Sequence, residues 1–203
     1  MLRIYLVRHG ATVWNEEGRI QGHSDIPLSS DGVRQASRLA ERLREAPLSA
    51  VWSSDLQRAL CTAEAIAAPH GLAVRATPLL RERMLGEWEG LTQAQIRARG
   101  ERPVVTASRQ DTVGEMPPGS EPMAEVWSRL LEARRAAVEA SPDGEIALVG
   151  HGGSLRAILA DTLGAGIEGM RRLWLDNASL SLIEHEGDRA WVRFANDTGH
   201  LRA

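Results

Sequence analysis

The chain of 203 residues contains no lysine, so its 24 basic side chains are all arginine. This excludes Schiff-base chemistry on a lysine and the lysine of a Walker-type phosphate loop. A single cysteine, Cys61, rules out an intrachain disulfide and fits a reducing compartment. No apolar stretch approaches the about 20 residues of a membrane span, and no small-residue cleavage site of a signal peptide follows the start. We therefore expect a soluble, cytoplasmic protein.

The sequence also lacks a basic excess, because its formal net charge at pH 7 is -3. That charge argues against a general nucleic-acid binder, which would carry a positive surface. Hydrophobic residues make up 43% of the chain and charged residues 25%, which is the balance of an ordinary globular protein. Neither a repeat nor a linker divides the chain, so we predict one domain over residues 1–203 with a sizeable core.

Strand-like and helix-like hydrophobic patterns alternate along the chain. Apolar runs predict strands at Leu2–Val7, Leu48–Trp52, Leu72–Arg75 and Glu145–Val149. Helical spacing of apolar residues, Val33 among them, predicts helices at about Ser30–Arg44, Leu56–Ala68, Thr92–Arg99, Glu121–Ala140 and Gly153–Leu163. Two alternating segments around Glu186-Gly187-Asp188 predict a C-terminal β-hairpin. This order predicts an α/β fold, a three-layer α/β/α sandwich with a mostly parallel central sheet and helices on both faces.

Two of the predicted strands run into a histidine followed by glycine. The first strand ends in Arg8-His9-Gly10, and the Glu145–Val149 strand leads through Gly150 into His151-Gly152-Gly153. Ligands of parallel α/β sheets bind beyond the carboxyl ends of the strands. We therefore predict that these two strand ends lie side by side and that His9 and His151 face one phosphoryl group.

Five side chains, Arg8, His9, Arg58, Glu82 and His151, combine the functions needed for phosphoryl transfer. Arginine forks hold phosphate oxygens, and a neutral histidine can attack phosphorus. A protonated His151 would stabilise charge on the equatorial oxygens, and a protonated carboxyl group at Glu82 would supply the proton that the leaving oxygen needs. No metal and no other cofactor is required, because the arginines and the histidine supply the electrostatic stabilisation.

An ordered series of motifs extends along nearly the whole chain. It comprises Arg8-His9-Gly10 with Thr12 and Asn15, Arg19-Ile20-Gln21-Gly22, Asp25-Ile26-Pro27-Leu28-Ser29, Ser53-Ser54-Asp55-Leu56-Gln57-Arg58-Ala59, Leu80-Arg81-Glu82, Gly86-Glu87-Trp88-Glu89-Gly90-Leu91, Pro118-Gly119-Ser120-Glu121, Val149-Gly150-His151-Gly152-Gly153 and Asn196-Asp197-Thr198-Gly199-His200-Leu201. In this order the motifs resemble those of the histidine phosphatase (phosphoglycerate mutase-like) superfamily, and in particular its phosphatase branch.

The resemblance implies a role for each matching residue. His9 would be the phosphorylated nucleophile, and Arg8, Arg58 and His151 would form the phosphate pocket. Glu82 would donate the proton to the leaving group and later activate water. Further contacts to phosphate or substrate are implied for Asn15, Gln21, Gly22 and Gly152.

Several residues have an alternative interpretation. His9 and His151 could ligate a metal, but the Cys or carboxylate partners of two-histidine metal sites do not accompany them at the usual spacing. Glu87 and Glu89 lie close to Glu82 and could replace it, although the position of Glu82 directly after Leu80-Arg81 favours it. We expect Cys61 to be buried in a helix.

The resemblance leaves two reactions open, hydrolysis by a phosphatase and phosphoryl transfer by a mutase. Cofactor-dependent mutases of this superfamily carry an insertion with an Arg-Arg motif after the loop that bears the glutamate. Here only 28 positions separate Leu91 from Gly119, and that motif is missing, which favours a phosphatase of small phosphomonoesters. The segment Glu82-Arg83 resembles the mutase form, so a phosphoglycerate mutase is one alternative. A catalytically weak phosphate-binding or regulatory module on the same fold is another.

The partner that we expect is a small phosphorylated metabolite, with no nucleic acid and no membrane, and with a homodimer left open. Residues 100–120 are polar and rich in proline and glycine near their end, and we predict a flexible flap or connection there. Arg83, Arg102 and Arg109 would suit a second anionic group on the substrate if they face the site.

Overall fold

The computed structural model describes residues 1–101, 116–187 and 189–202. A six-stranded sheet forms the central layer, in the order β3-β2-β4-β1-β5-β6. Its strands are β1 (Leu2–Arg8), β2 (Leu48–Ser54), β3 (Val74–Thr77), β4 (Gly144–Gly150), β5 (Leu180–Glu186) and β6 (Arg189–Asp197). The first four are mutually parallel, whereas β5 pairs antiparallel with β1 and forms a hairpin with β6. The mostly parallel sheet and the terminal hairpin are therefore confirmed.

Helices cover both faces of this sheet. The helices of the described residues are α1 (Val13–Glu16), α2 (Ser30–Leu43), α3 (Gln57–Ala67), α4 (Gln93–Ala98), α5 (Met123–Ala140), α6 (Gly152–Thr162) and α7 (Gly166–Gly169), of which α2, α3, α5 and α6 pack on the sheet. Side chains alternate across β1, so Leu2, Ile4 and Leu6 join a core cluster with residues of α5 and α6. Val7, on the opposite face, packs in a second cluster with residues of α2 and α3. The predicted three-layer sandwich is confirmed.

The register of the sheet determines where the functional segments lie. Arg8 is paired with Gly150 at the carboxyl ends of the neighbouring strands β1 and β4. The backbone N–H of His9 continues this ladder by donating to the carbonyl of Gly150 at 3.0 Å. The residues that follow, His9 and His151, are therefore placed next to each other by strand pairing.

Some local predictions were wrong, and two short helices were missed. Val33 on α2 is 54% exposed, because the buried stripe of this helix runs through Gly32, Ala36 and Leu39 instead. Cys61 is exposed on α3, whereas we expected it to be buried. Helices α1 and α7 were not predicted.

Two further sequence predictions concern the segment 100–120 and membrane-spanning helices. The predicted flap at 100–120 falls mostly on residues 102–115, outside the described residues. Within the parts of the chain that are described, no helix has the length and apolar character needed to cross a membrane.

Candidate active site

His9 lies in a buried position directly after β1, where only 3% of it is exposed. Its Nδ1 is 2.7 Å from the carbonyl oxygen of Gly10, which can only accept a hydrogen bond. Nδ1 therefore carries the hydrogen, and Nε2 keeps a free lone pair. Asn177 supports this segment by donating from Nδ2 to the carbonyl of His9 at 3.2 Å. The local structure thus presents a histidine in the tautomer that a nucleophile requires.

His151 follows β4 and lies against His9, with the ring centroids 5.0 Å apart and the rings 61° from parallel. The Nε–H of Arg58 donates to Nδ1 of His151 at 3.2 Å. Because Nδ1 accepts this bond, the hydrogen of the neutral ring lies on Nε2. That Nε2 is buried and has no hydrogen-bond partner among the described residues. His151 therefore offers one unused donor beside His9.

Arg58 is fully buried at the start of α3 and is held by the loop that precedes α2. Its Nη1 donates to the carbonyl of Ser24 at 2.7 Å and its Nη2 to the carbonyl of Gly22 at 2.8 Å. Gly22 adopts φ +52°, a conformation that favours glycine and turns its carbonyl toward Arg58. With Nε on His151, the described residues use three of the five N–H groups of Arg58, which leaves one on each of Nη1 and Nη2 for an anion.

Arg8 is held at the end of β1 by a hydrogen bond from Nη1 to the carbonyl of Leu175 at 2.5 Å. Its Nε is buried and has no hydrogen-bond partner among the residues described. A Cβ on Gly152 would lie 3.5 Å from the guanidinium carbon of Arg8, so the two are in contact at the start of α6. Arg8 and His151 thus both hold an unsatisfied buried donor at the same strand ends.

Glu82 reaches the start of α6 from the loop that follows β3. Its Oε2 accepts the backbone N–H of Gly153 at 2.8 Å, and its Oε1 accepts the N–H of Arg83 at 2.9 Å. A Cβ on Gly153 would lie only 2.2 Å from Oε1, so the absence of a side chain there permits this approach. The carboxyl group is therefore next to the turn that follows His151.

The two competing carboxylates are placed elsewhere. Glu87 is exposed. Glu89 accepts the backbone N–H groups of His23 and Leu85, both at 3.0 Å, and both the N–H and the hydroxyl of Ser24. Glu89 thus joins the loop that holds Arg58 to the loop that holds Glu82, and its acceptor capacity is occupied by structural bonds. Of the three carboxyl groups, Glu82 is the one bonded to the start of α6.

The implied accessory residues lie at the borders of this site. The Oδ1 of Asn15 accepts from Thr12 and from Asn177, which orients the amide and leaves Nδ2 without a bond to a described residue. The buried Oε1 of Gln21 likewise lacks a hydrogen-bond partner in the described parts of the chain. Gly22 and Gly152 border the site through the contacts with Arg58 and Arg8.

Burial and the two arginines set the protonation of the histidines. The pKa of His9 is lowered well below 6.5, first by burial and then by the charges of Arg58 and Arg8. Burial and the charge of Arg58 lower the pKa of His151 in the same way. Both rings are therefore neutral at pH 7 in the free protein, and a protonated His151 beside a bound phosphoryl group stays a prediction. Burial lowers the pKa of Arg58 to about 10, and the guanidinium keeps its charge.

The charge of the site favours an anion over a cation. Two guanidinium groups, those of Arg8 and Arg58, lower the pKa of both histidines and would repel a metal ion in the same way. Over the described ranges, no group of three or more His, Cys, Asp or Glu side chains is arranged to hold a metal. The unsatisfied donors match the oxygens of a phosphate.

Sequence reasoning missed two residues that organise the site. Arg129 on α5 donates to the carbonyl of Glu82 at 2.9 Å, and Asn177 joins the carbonyl of His9 to Asn15. Neither residue lies in a motif that indicates a role. Their contacts join residues 47 to 168 positions apart, so no local pattern in the sequence signals them. Of the arginines proposed for a second anionic group, Arg83 is half-buried beside Glu82, whereas Arg102 and Arg109 lie outside the described residues.

The chain is similar to known proteins over nearly its whole length. The chain is 37% identical, over 216 aligned positions covering 99% of it and 95% of the relative, to the probable phosphoglycerate mutase GpmB of Yersinia pestis (strain Pestoides F). A mycobacterial glucosyl-3-phosphoglycerate phosphatase in complex with VO3 is 33% identical, with a TM-score of 0.83 over 97% of this chain and 99% of that one. The alpha-ribazole phosphatase of Shigella flexneri is 27% identical, with a TM-score of 0.84 over 96% of each chain.

A family profile described as histidine phosphatase superfamily (branch 1) matches residues 4–198, which is nearly the whole chain. The sheet order, the paired histidines and the buried Arg58 are in keeping with that match. The chain therefore belongs to branch 1 of the histidine phosphatase superfamily, a family of enzymes that act on phosphate esters.

Proposed function

We propose that this protein is a metal-independent phosphatase that hydrolyses small phosphomonoesters through a phosphohistidine on His9. The observation that carries the proposal is the pair of buried, unsatisfied donors, Arg8 Nε and His151 Nε2, beside the free Nε2 of His9. Buried donors without partners are costly unless a ligand satisfies them. A phosphoryl group supplies oxygens for both donors and a phosphorus atom for the nucleophile.

In the first step, Nε2 of His9 attacks phosphorus and the bond to the ester oxygen breaks. Arg8, Arg58 and the Nε2–H of His151 stabilise the negative charge on the three equatorial oxygens. The leaving oxygen takes a proton from the carboxyl group of Glu82, so that an alcohol is released. Nδ1 of His9 keeps its hydrogen throughout, since the carbonyl of Gly10 holds it at 2.7 Å.

In the second step, Glu82, now a carboxylate, takes a proton from a water molecule. The resulting hydroxide attacks the phosphohistidine, the N–P bond breaks, and inorganic phosphate leaves with neutral His9 restored. The proton that Glu82 gained is the one that it gives to the next leaving group. Protons and phosphoryl groups therefore balance over one cycle with no metal involved.

A phosphoglycerate mutase is the second candidate. It is favoured by the 37% identity to a probable phosphoglycerate mutase and by the Glu82-Arg83 sequence. The phosphatase is favoured by the 28 positions from Leu91 to Gly119, which leave no room for the mutase insertion. The two similar solved structures described above, both named as phosphatases, also favour it. We therefore place hydrolysis first, with a small phosphorylated metabolite in the cytoplasm as substrate.

The experiment that tests this proposal is a phosphorus NMR time course on a panel of phosphomonoesters that includes 3-phosphoglycerate. We expect inorganic phosphate to appear at an unchanged rate in the presence of a chelator, and not to appear with His9→Asn. A second phosphoglycerate isomer without inorganic phosphate would support the mutase instead. Substrate binding with neither product would support a binding module.

A further inference from the structure

Glu82 lies in a segment without regular helix or strand, between short turns at Pro78–Leu80 and Gly86–Trp88. A segment of this kind does not hold a carboxyl group in place by its own backbone hydrogen bonds. One side chain, Arg129 of α5, nevertheless donates to three backbone carbonyls in and next to this segment, those of Leu79, Arg81 and Glu82. Nε2 of His23 also lies 2.8 Å from the carbonyl of Glu82, so the position of Glu82 depends on residues of other segments, among which Arg129 makes the most contacts.

Arg129 uses every N–H group of its guanidinium within the protein. Nε donates to Glu121 Oε1 (2.6 Å), Nη1 to the carbonyls of Leu79 (2.9 Å) and Arg81 (2.7 Å), and Nη2 to the carbonyl of Glu82 (2.9 Å) and to Glu121 Oε2 (2.8 Å). These five bonds exhaust the five donors of an arginine. Since no donor is left for a substrate, Arg129 acts on the protein itself.

Glu121 extends the same arrangement to the residues after Glu82. Its backbone N–H donates to the carbonyl of Met84 at 3.0 Å, and its carbonyl accepts from Nε of Arg83 at 2.7 Å. The Glu121 and Arg129 side chains are only 13% and 15% exposed, so water competes little for their bidentate ion pair. Together they hold the segment from Leu79 to Met84 on both sides of Glu82.

We propose that Arg129, paired with Glu121, is a positioning residue that sets the place of the Glu82 carboxyl group over the start of α6. The proposal rests on the acid–base role of Glu82 in the proposed function. Proton transfer requires the acid within hydrogen-bond reach of the leaving oxygen, so a segment that shifts by about 1 Å loses much of its effect. A lysine could not replace Arg129, because a single ammonium group cannot reach three carbonyls and both carboxylate oxygens.

The test compares Arg129→Ala with Arg134→Ala on the same helix. Arg134 has a similar exposure of 20% and a similar ion pair, to Asp161 at 2.9 Å, but it faces Thr162 of α6 rather than the Glu82 segment. Each variant is assayed with an alkyl phosphate, which needs a proton on its leaving oxygen, and with p-nitrophenyl phosphate, which does not. Hydrogen–deuterium exchange of the peptide over residues 79–85 is measured in parallel.

We expect Arg129→Ala to lower kcat/KM for the alkyl phosphate by about 100-fold and for p-nitrophenyl phosphate by less than about threefold. Adding Arg129→Ala to Glu82→Gln should cause no further loss, because both act on one proton transfer. Exchange over 79–85 should rise in Arg129→Ala. Arg134→Ala should leave both kcat/KM values and this exchange unchanged.

An equal loss on both esters, or unchanged exchange over 79–85, would overturn the positioning role. If Glu82→Gln itself shows no dependence on the leaving group, the role of Glu82 in the proposed function is wrong. In that case a rise in exchange specific to Arg129→Ala would still establish that Arg129 orders the segment, so the two failures are distinguishable.

Discussion

Arg58 donates its Nε–H to Nδ1 of His151 at 3.2 Å, and this bond decides which nitrogen of His151 faces a ligand. Both residues are essentially fully buried and are separated by 93 positions of sequence. With Nδ1 occupied, His151 can contribute only its Nε2–H to a phosphoryl group while the ring is neutral. Arg58 thus orients the histidine beside it, and in the proposed mechanism it would also bind phosphate directly.

Replacing Arg58 by lysine should therefore lower the activity strongly, although the positive charge is retained. An ammonium group cannot bond His151, Gly22 and Ser24 at once and still present two N–H groups to phosphate. We expect kcat/KM for phosphomonoesters to fall about 100-fold or more. Steady-state kinetics check this, with Arg44→Lys, an exposed arginine paired with Glu41, as the control. A loss of less than threefold would show that charge alone suffices.

The stability of the free protein should decrease as the pH falls from 7 to 5.5. The pKa values of His9 and His151 are lowered well below 6.5 in the folded state, chiefly by burial. The unfolded chain therefore binds more protons in this range. The contribution of the two neutral histidines to the free energy of unfolding is fully present above about pH 6.5. It decreases as the pH falls toward the folded-state pKa values, by at most about 1.4 kcal/mol per pH unit for each histidine.

Urea unfolding at pH 7 and pH 5.5, in buffers free of phosphate, measures this dependence. The range lies above that in which carboxylates take up protons, so the histidines dominate the change. His9→Asn should show a smaller drop in the free energy of unfolding than the wild type. An identical drop in the two proteins would contradict the assignment of His9 as a buried neutral ring.

A methyl group at Gly153 should separate activity from stability. Its Cβ would lie 2.2 Å from Oε1 of Glu82 and would displace the carboxyl group, so kcat for alkyl phosphates should fall up to about 100-fold. Gly153 is in the first turn of α6, where alanine is favoured over glycine by up to about 1 kcal/mol. The melting temperature should therefore be kept or raised. A variant that unfolds earlier, or that retains full activity, would refute this account of Glu82.

The strand ends could be predicted from the sequence because their signals are local. Short apolar runs ending at Arg8 and at Gly150 identify parallel strands, and the sheet rule places His9 and His151 at one edge. Cys61 could also have been placed correctly, since the buried residues of α3 recur at 58, 59, 62, 63, 66 and 67, and position 61 lies off that stripe. The wrong prediction used the usual burial of cysteine instead of the position of residue 61 around the helix.

The support of the site could not be predicted in the same way. Arg129 bonds to backbone carbonyls about 50 positions away, and any residue can offer a carbonyl, so the sequence carries no trace of the contact. The neutral state of His151 follows from burial and from the nearby guanidinium of Arg58, which a list of residue types does not reveal. Tertiary geometry was needed for both.

The central claim is that His9 carries the phosphoryl group covalently. The decisive experiment mixes the Glu82→Gln variant, in which hydrolysis of the intermediate should be slow, with p-nitrophenyl phosphate labelled on phosphorus, whose leaving group needs no proton from Glu82. The mixture is quenched within milliseconds in alkaline detergent and the label is mapped by mass spectrometry. We expect one phosphoryl group on His9, lost on acid treatment and absent in His9→Asn/Glu82→Gln. Label on another residue, or turnover that persists in His9→Asn, would contradict it.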